Sequence, residues 1–103
     1  MIARVWRTGI DPERAAEYDV FAAERSLPMF RRQDGIRAVF FVRTATGRAV
    51  ISVWRDLAAV EALGQSSDYL ETVEAIRAAD FLRPPWTVEL LPVDSAWLAP
   101  DLV

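Results

Sequence analysis

Apolar and polar residues alternate over the first positions of the chain, as they do in a half-buried strand. The pattern predicts a strand over residues 2–8 that ends at Gly9. Asp11-Pro12-Glu13 then has the composition of a helix start, with Asp as N-cap and Pro at the first helical position. Because proline disfavours a helix in the residue before it, we expect this helix to end near Ser26, ahead of Pro28.

A β-hairpin is predicted in the middle of the chain. Two apolar segments, residues 36–43 and 49–55, flank a short loop in which Gly47 is expected to take a positive φ. Phe40 and Phe41 are adjacent, so they must point to opposite faces of the sheet. Helices cover only one face of such a sheet, and we therefore expect a second copy of the chain to cover the other.

Two helices and a strand are predicted in the second half. Asp56 is expected to cap a helix that ends at Gly64, and Ser66 to open the next one. A strand over residues 86–93 follows, in which Pro92 marks a strand end or an edge. The order β-α-β-β-α-β predicts an α+β, ferredoxin-like fold, an antiparallel sheet with helices on one face.

The chain divides into a domain over residues 1–93 and a tail over residues 94–103. Four large apolar residues lie in the tail: Trp97, Leu98, Leu102 and Val103. That content predicts a tail that docks on the protein.

Composition narrows the chemistry. The sequence contains no His, Cys, Lys or Asn, which excludes His or Cys zinc sites, thiol nucleophiles and His-based triads. Its glycines form no phosphate-binding loop, so a nucleotide cofactor has no evident binding site. We expect neither a metal nor a cofactor. A net charge of -3 argues against a nucleic-acid partner. No stretch is long and apolar enough to span a membrane, and no targeting segment is recognisable, so we expect a cytoplasmic protein.

Three segments resemble the antibiotic biosynthesis monooxygenase superfamily. They are the opening MIARVWR, the hairpin strand that closes on Trp54 before the helix start Arg55-Asp56-Leu57, and the closing Thr87-Val88-Glu89. The resemblance spans roughly residues 1–93. It implies a dimeric α/β barrel, in which two protomers pair through their sheet faces.

Two branches of that superfamily can be compared with the sequence. The haem-degrading branch uses Asn, Trp and His around the haem, and the absence of His and Asn excludes haem degradation here. The cofactor-free, polyketide-oxidising branch has an Asn, a Trp, a Tyr and an Arg. Trp54 matches the Trp, and Arg77 matches the Arg with a small gap, but Val50 and Val60 stand at the Asn and Tyr positions.

The resemblance implies oxygenation of an aromatic or quinol-type small molecule by O₂, with no metal or flavin, in an apolar pocket between sheet and helices. The protein would exclude water, deprotonate the phenol and stabilise the resulting anion. The alternative is a non-catalytic small-molecule-binding or accessory protein on the same dimeric scaffold.

Candidate pocket residues come first from one strand. Val50, Ser52 and Trp54 share a side of that strand and would form one wall if they face the helices, although ordinary core packing explains them equally. Arg4 shares a face with Trp6 on a strand that should be central. Such an arginine is either ion-paired, directed into the pocket as the partner for a substrate anion, or extended to an edge of the sheet.

Candidate catalytic groups come from the helices. Asp19 falls among alanines on the helical wheel, so it is either a buried base or a solvated residue. Tyr69 begins the inward stripe of its helix and is interpreted as a substrate hydrogen-bonding group or a core tyrosine. Arg77 either binds an anion or complements the helix dipole.

Overall fold

Four antiparallel strands form one sheet in the order β2-β3-β1-β4 in the computed structural model, which describes residues 1–102. The strands are β1 (Ile2–Ile10), β2 (Ile36–Arg43), β3 (Gly47–Trp54) and β4 (Leu82–Pro92). This is the strand order of a ferredoxin-like sheet. The predicted α+β class and element order are therefore confirmed.

A 3₁₀ turn (Pro100–Leu102) lies in the tail, and the other helical segments lie between β1 and β2 and between β3 and β4. They are a 3₁₀ turn (Pro12–Arg14), α1 (Ala15–Phe21), a π-helical turn (Ala22–Ser26), α2 (Leu27–Arg31), α3 (Leu57–Gln65) and α4 (Ser67–Ala79). The predicted caps are present. The side chains of Asp11, Asp56 and Ser66 accept hydrogen bonds from the backbone N–H groups of Glu13, Ala59 and Tyr69.

The first helical region does not end near Ser26, and that expectation is wrong. The N–H of Leu27 donates to the carbonyl of Ala22, five residues back, and the chain then continues helically past Pro28 to Arg31. Proline has no N–H to donate and its ring needs room against the preceding turn. The wider π-helical turn just before Pro28 supplies that room, so the axis continues.

Two glycines serve close backbone approach rather than the roles expected of them. Gly9 lies inside β1, where a Cβ atom would stand 2.7 Å from the carbonyl oxygen of Arg83. Gly47 does not take a positive φ; a Cβ there would overlap the carbonyl oxygen of Thr8 on the neighbouring strand. The positive φ of 85° belongs to Gly35, in the turn that leads into β2.

Two further boundaries differ from the prediction. Gly64 lies within α3, which ends one residue later. The last strand begins at Leu82 instead of residue 86, and it contains Pro84 and Pro85. Both prolines fall at the register shift where Thr8 pairs with Trp86 and Gly9 pairs with Arg83, so neither has to donate to β1. β4 ends at Pro92 on the edge of the sheet, as expected.

Two groups of buried side chains join the helices to the sheet. One consists of Met29, Phe30, Val50, Trp54, Ala59 and Leu63. The other consists of Ile10, Tyr18, Ala22 and Phe81. Phe41 points to this side of the sheet and packs edge-on against Phe30, whereas Phe40 points away and is exposed, as the hairpin pattern predicted.

The tail leaves β4 and carries exposed apolar side chains. Trp97 is 82% exposed and Leu98 is 53% exposed in the single chain, so neither docks on the body of its own protomer. Docking on a partner stays a prediction, and Val103 lies outside the described residues. Over residues 1–102, no helix has the length and apolarity that crossing a membrane requires.

Candidate functional site

A cavity of about 280 Å³ lies where the helices stop covering the sheet. Its floor is the helix-facing side of β1 and β4. Its sides are formed by α4 and by residues 26–30, in and just before α2. Most of its wall is apolar and includes Trp6, Phe30, Val50, Ile76, Trp86 and Val88. Trp6, Trp86 and Val88 lie on the same face of the sheet because Trp6 pairs with Val88 and Thr8 pairs with Trp86 across β1 and β4. Trp86 is 56% exposed, since no helix covers the outer strand.

Arg4 supplies the charge inside this cavity. It lies on the central strand β1 and is only 8% exposed. Its Nη2 donates to the hydroxyl oxygen of Tyr69 at 3.1 Å, and its guanidinium carbon is 5.7 Å from the centre of the Tyr69 ring. Since the hydroxyl accepts from Arg4, its own proton is free for another acceptor.

Two more polar residues of α4 line the cavity. Thr72 uses its hydroxyl proton on the backbone carbonyl of Asp68 at 2.8 Å, four residues earlier. Arg77 is exposed and lies five residues further along α4. Over residues 1–102, no Asp or Glu lines this cavity. Both charged groups in the wall are therefore cations, although the chain as a whole has a net charge of -3.

Trp54 and Ser52 are core residues and do not line the cavity, which corrects their assignment as its wall. Both are fully buried, and the indole N–H of Trp54 donates to the hydroxyl of Ser52 at 2.9 Å. That hydroxyl donates in turn to the backbone carbonyl of Arg4 at 3.4 Å. Trp54 is thus linked through Ser52 to the backbone of β1 at Arg4. Of the three predicted wall residues on β3, only Val50 lines the cavity.

Asp19 lies away from the cavity, in a separate groove between α1 and the hairpin. Its carboxylate accepts from Nε of Arg48 at 3.1 Å, and its side chain is 44% exposed. Asp19 is therefore neither a buried base in the cavity nor a freely solvated residue, but a half-buried carboxylate paired with an arginine. Its position among alanines reflects a partner on β3 that no helical wheel contains.

Val60, at the position that the resemblance assigns to a tyrosine, packs against the core and does not line the cavity.

Tyr18 is a cavity residue that the sequence analysis missed. It is 3% exposed and lines the wall from α1. Burial raises the pKa of its hydroxyl to about 12, so the group is neutral and protonated at physiological pH. The spacing of Ala15, Tyr18, Ala22 and Ser26 is the signal that would have identified it, because these residues share one helix face.

Comparison with solved structures shows the same fold in many proteins, 67 chains in all. SnoaB from Streptomyces nogalater, a cofactor-independent oxygenase, aligns with a TM-score of 0.76 and 21% identity over 92% of this chain and 94% of that one. Rv0793 from Mycobacterium tuberculosis aligns with a TM-score of 0.72 and 22% identity over 93% and 98% of the two chains. A protein named antibiotic biosynthesis monooxygenase aligns with a TM-score of 0.74 and 19% identity over 92% and 100%.

Sequence comparison alone finds no such relationship: no family profile and no curated protein matches the chain. At identities near 20%, similarity of structure establishes the fold and does not transfer an activity. The resemblance noticed in the sequence is confirmed at this level. The chain has the fold of the antibiotic biosynthesis monooxygenases.

Proposed function

We propose that the cavity binds a small, flat aromatic molecule and that the protein is a cofactor-independent monooxygenase acting on a phenol or hydroquinone. The observation that carries this proposal is the make-up of the cavity. Aromatic and aliphatic side chains form most of its wall, and Arg4 and Tyr69 form a hydrogen-bonding end. Such a combination is typical of small-molecule sites. The fold shared with SnoaB, a cofactor-independent oxygenase, supports the reaction class.

The reaction needs no electrons from a cofactor. A phenol oxygenated by O₂ at a ring carbon that bears hydrogen gives a quinone and water, and the substrate supplies all the electrons. The protein has three tasks in this scheme. Arg4 stabilises negative charge on the substrate oxygen, and the apolar wall keeps water from the reactive anion. Tyr69 donates its free proton to the same oxygen and so orients the ring.

A second function, binding without chemistry, is favoured by a different observation. Among residues 1–102, no carboxylate lines the cavity, and the sequence contains no His, so the wall has no ordinary base for a phenol proton. Tyr18 does not fill that role, since its raised pKa keeps it protonated. On this alternative the protein carries or sequesters its ligand.

Oxygen consumption separates the two functions. Protein treated with a chelator is mixed with a naphthohydroquinone, and the rate is measured with an oxygen electrode against the spontaneous rate. Monooxygenase activity predicts a rate proportional to protein concentration, which Arg4→Gln lowers at least tenfold, on the order of one stabilising charge contact. Binding without excess oxygen consumption supports the carrier function. If no flat aromatic compound quenches tryptophan fluorescence, both the monooxygenase function and the carrier function are contradicted.

We also propose that the protein is a homodimer formed through the helix-free faces of two sheets. On that face Phe40 pairs with Ile51 across the hairpin, and Leu91 lies on the outer strand. Phe40 and Leu91 are each 42% exposed in the single chain. Burying such a face gains about 25 cal/mol per Å². Light scattering should give twice the chain mass of 11.6 kDa, and a monomer at micromolar concentration would contradict the proposal.

A further inference from the structure

Arg4 differs from every other arginine of the chain. Over residues 1–102 it is the only buried arginine, and no carboxylate lies within 4 Å of its guanidinium. Half-buried Arg14, Arg48 and Arg83 each have a carboxylate partner within that distance. The arginines that lack such a partner are otherwise exposed to water. Among residues 1–102, Arg4 is thus the one buried arginine without a carboxylate partner, and Tyr69 is the group that it contacts with its guanidinium.

The unused donors of Arg4 open into the cavity. A guanidinium has five N–H donors, and Tyr69 is the side-chain acceptor for one of them. Among the described residues, every buried side-chain nitrogen or oxygen has a hydrogen-bond partner. The other guanidinium nitrogens are therefore in contact with accessible space, and the space that Arg4 lines is the cavity.

A buried cation without a counter-ion costs free energy, and an anion bound beside it recovers that cost. The surroundings increase this preference for an anion. Arg77 adds a second positive charge to the wall, and no Asp or Glu of residues 1–102 opposes it there. Since this charge is present before any reaction, it favours a ligand that is already negative when it enters.

We propose that Arg4 and Tyr69 form an oxyanion subsite, and that the cavity selects an aromatic carboxylic acid. This proposal rests on the proposed function and names its substrate class. A carboxylate accepts two parallel bonds from a guanidinium and a third from the Tyr69 hydroxyl, while the ring lies against Trp6 and Trp86. In an ortho-hydroxy acid the phenol oxygen adjoins the carboxylate, so the same guanidinium reaches both.

Three probes of one ring system test the charge. They are 2-naphthoate, which is an anion at neutral pH, 2-naphthamide, its neutral counterpart of nearly the same shape, and 2-naphthol, a neutral phenol. Affinities are measured by quenching of tryptophan fluorescence and by calorimetry. We expect 2-naphthoate to bind at least about tenfold more tightly than 2-naphthamide, as expected for a charge-assisted bidentate pair.

Variants assign the preference to the subsite. Arg4→Gln should bring the ratio of the naphthoate and naphthamide affinities near one while the amide still binds. Tyr69→Phe retains the guanidinium and should lower the ratio severalfold, which keeps the test valid if Arg4→Gln folds poorly. Arg37→Gln, an exposed arginine outside the cavity, is the matched control and should leave the ratio unchanged.

The outcomes separate this inference from the proposed function. Equal affinities for 2-naphthoate and 2-naphthamide overturn the oxyanion subsite and leave aromatic binding intact. A 2-naphthol affinity above that of 2-naphthoate also overturns selection of a carboxylate, because the subsite then takes phenols. A preference for naphthoate that survives in both Arg4→Gln and Tyr69→Phe overturns the assignment to these residues. If none of the three probes binds, the proposed function itself is contradicted.

Discussion

Alkaline pH should destabilise this protein through one side chain, Tyr18. Its ring is 3% exposed and packs edge-on against Phe81 at a centroid distance of 6.3 Å. Burial raises the pKa of the hydroxyl to about 12, while nearby Arg48 lowers it and Asp19 raises it by smaller effects. The sequence contains no Lys, Cys or His, so tyrosines are the only side chains that titrate between the terminal amine and the arginines.

The magnitude follows from the linkage between protonation and folding. Below about pH 10 the hydroxyl is protonated in both the folded and the unfolded chain, and its contribution to stability is fully present. Above that pH the unfolded chain releases the proton first, so the free energy of unfolding falls until the folded-state pKa of about 12 is passed. Two pKa units correspond to a loss of about 2–3 kcal/mol.

Urea unfolding followed by circular dichroism at about pH 8, 10, 11 and 12 measures this loss. Tyr18→Phe should abolish most of the decline above about pH 10, whatever its effect on stability at neutral pH. Tyr69→Phe is the matched control and should retain the decline that depends on Tyr18. A wild-type free energy that stays constant across this range, or an equal decline in Tyr18→Phe, would refute the reasoning.

Three further expectations concern stability. Gly64→Ala should raise the unfolding free energy by about 0.5–1 kcal/mol, because a Cβ at this helix position meets nothing within 4 Å. Gly47→Ala should lower the unfolding free energy by more than about 2 kcal/mol, because the Cβ would overlap β1. Urea titration measures both changes, and a less stable Gly64→Ala or an unchanged Gly47→Ala would contradict the geometry. Trp54→Phe should cost about 2 kcal/mol, because it leaves a void and removes the indole donor to Ser52, yet it should change the Kd for 2-naphthoate less than twofold; a larger change would make Trp54 part of the site. Deleting residues 95–103 should lower the Tm of the dimer by several degrees if Trp97 docks on the partner, and an unchanged melting curve would show that it does not.

Local pattern determined much of the fold. Alternation placed β1 and the hairpin, and it assigned Phe40 and Phe41 to opposite faces because side chains alternate along any strand. The caps at Asp56 and Ser66 were also predictable, since a capping side chain and the N–H that it satisfies lie within three residues of each other. The ferredoxin-like order followed from these elements.

The alternation of side chains along the strands also predicted some of the residues that line the candidate site. Arg4 and Val50 were identified because they share the helix-facing side of the sheet, and both line the cavity. Parity could not separate them from Ser52 and Trp54, which lie on the same side but under the helices. Which part of a face is covered depends on where the helices cross it.

Tertiary structure decided the remaining features, because each depends on residues far apart in the sequence. The charge of Asp19 is compensated by Arg48, 29 positions away, and within residues 1–102 the only side-chain acceptor for Arg4 is Tyr69, 65 positions away. The outer strand carries Trp86 into the cavity wall because it pairs with β1 and receives no helix of its own. Sequence patterns thus determined which side chains face the helices, and packing of the helices determined that an arginine remains there beside open space.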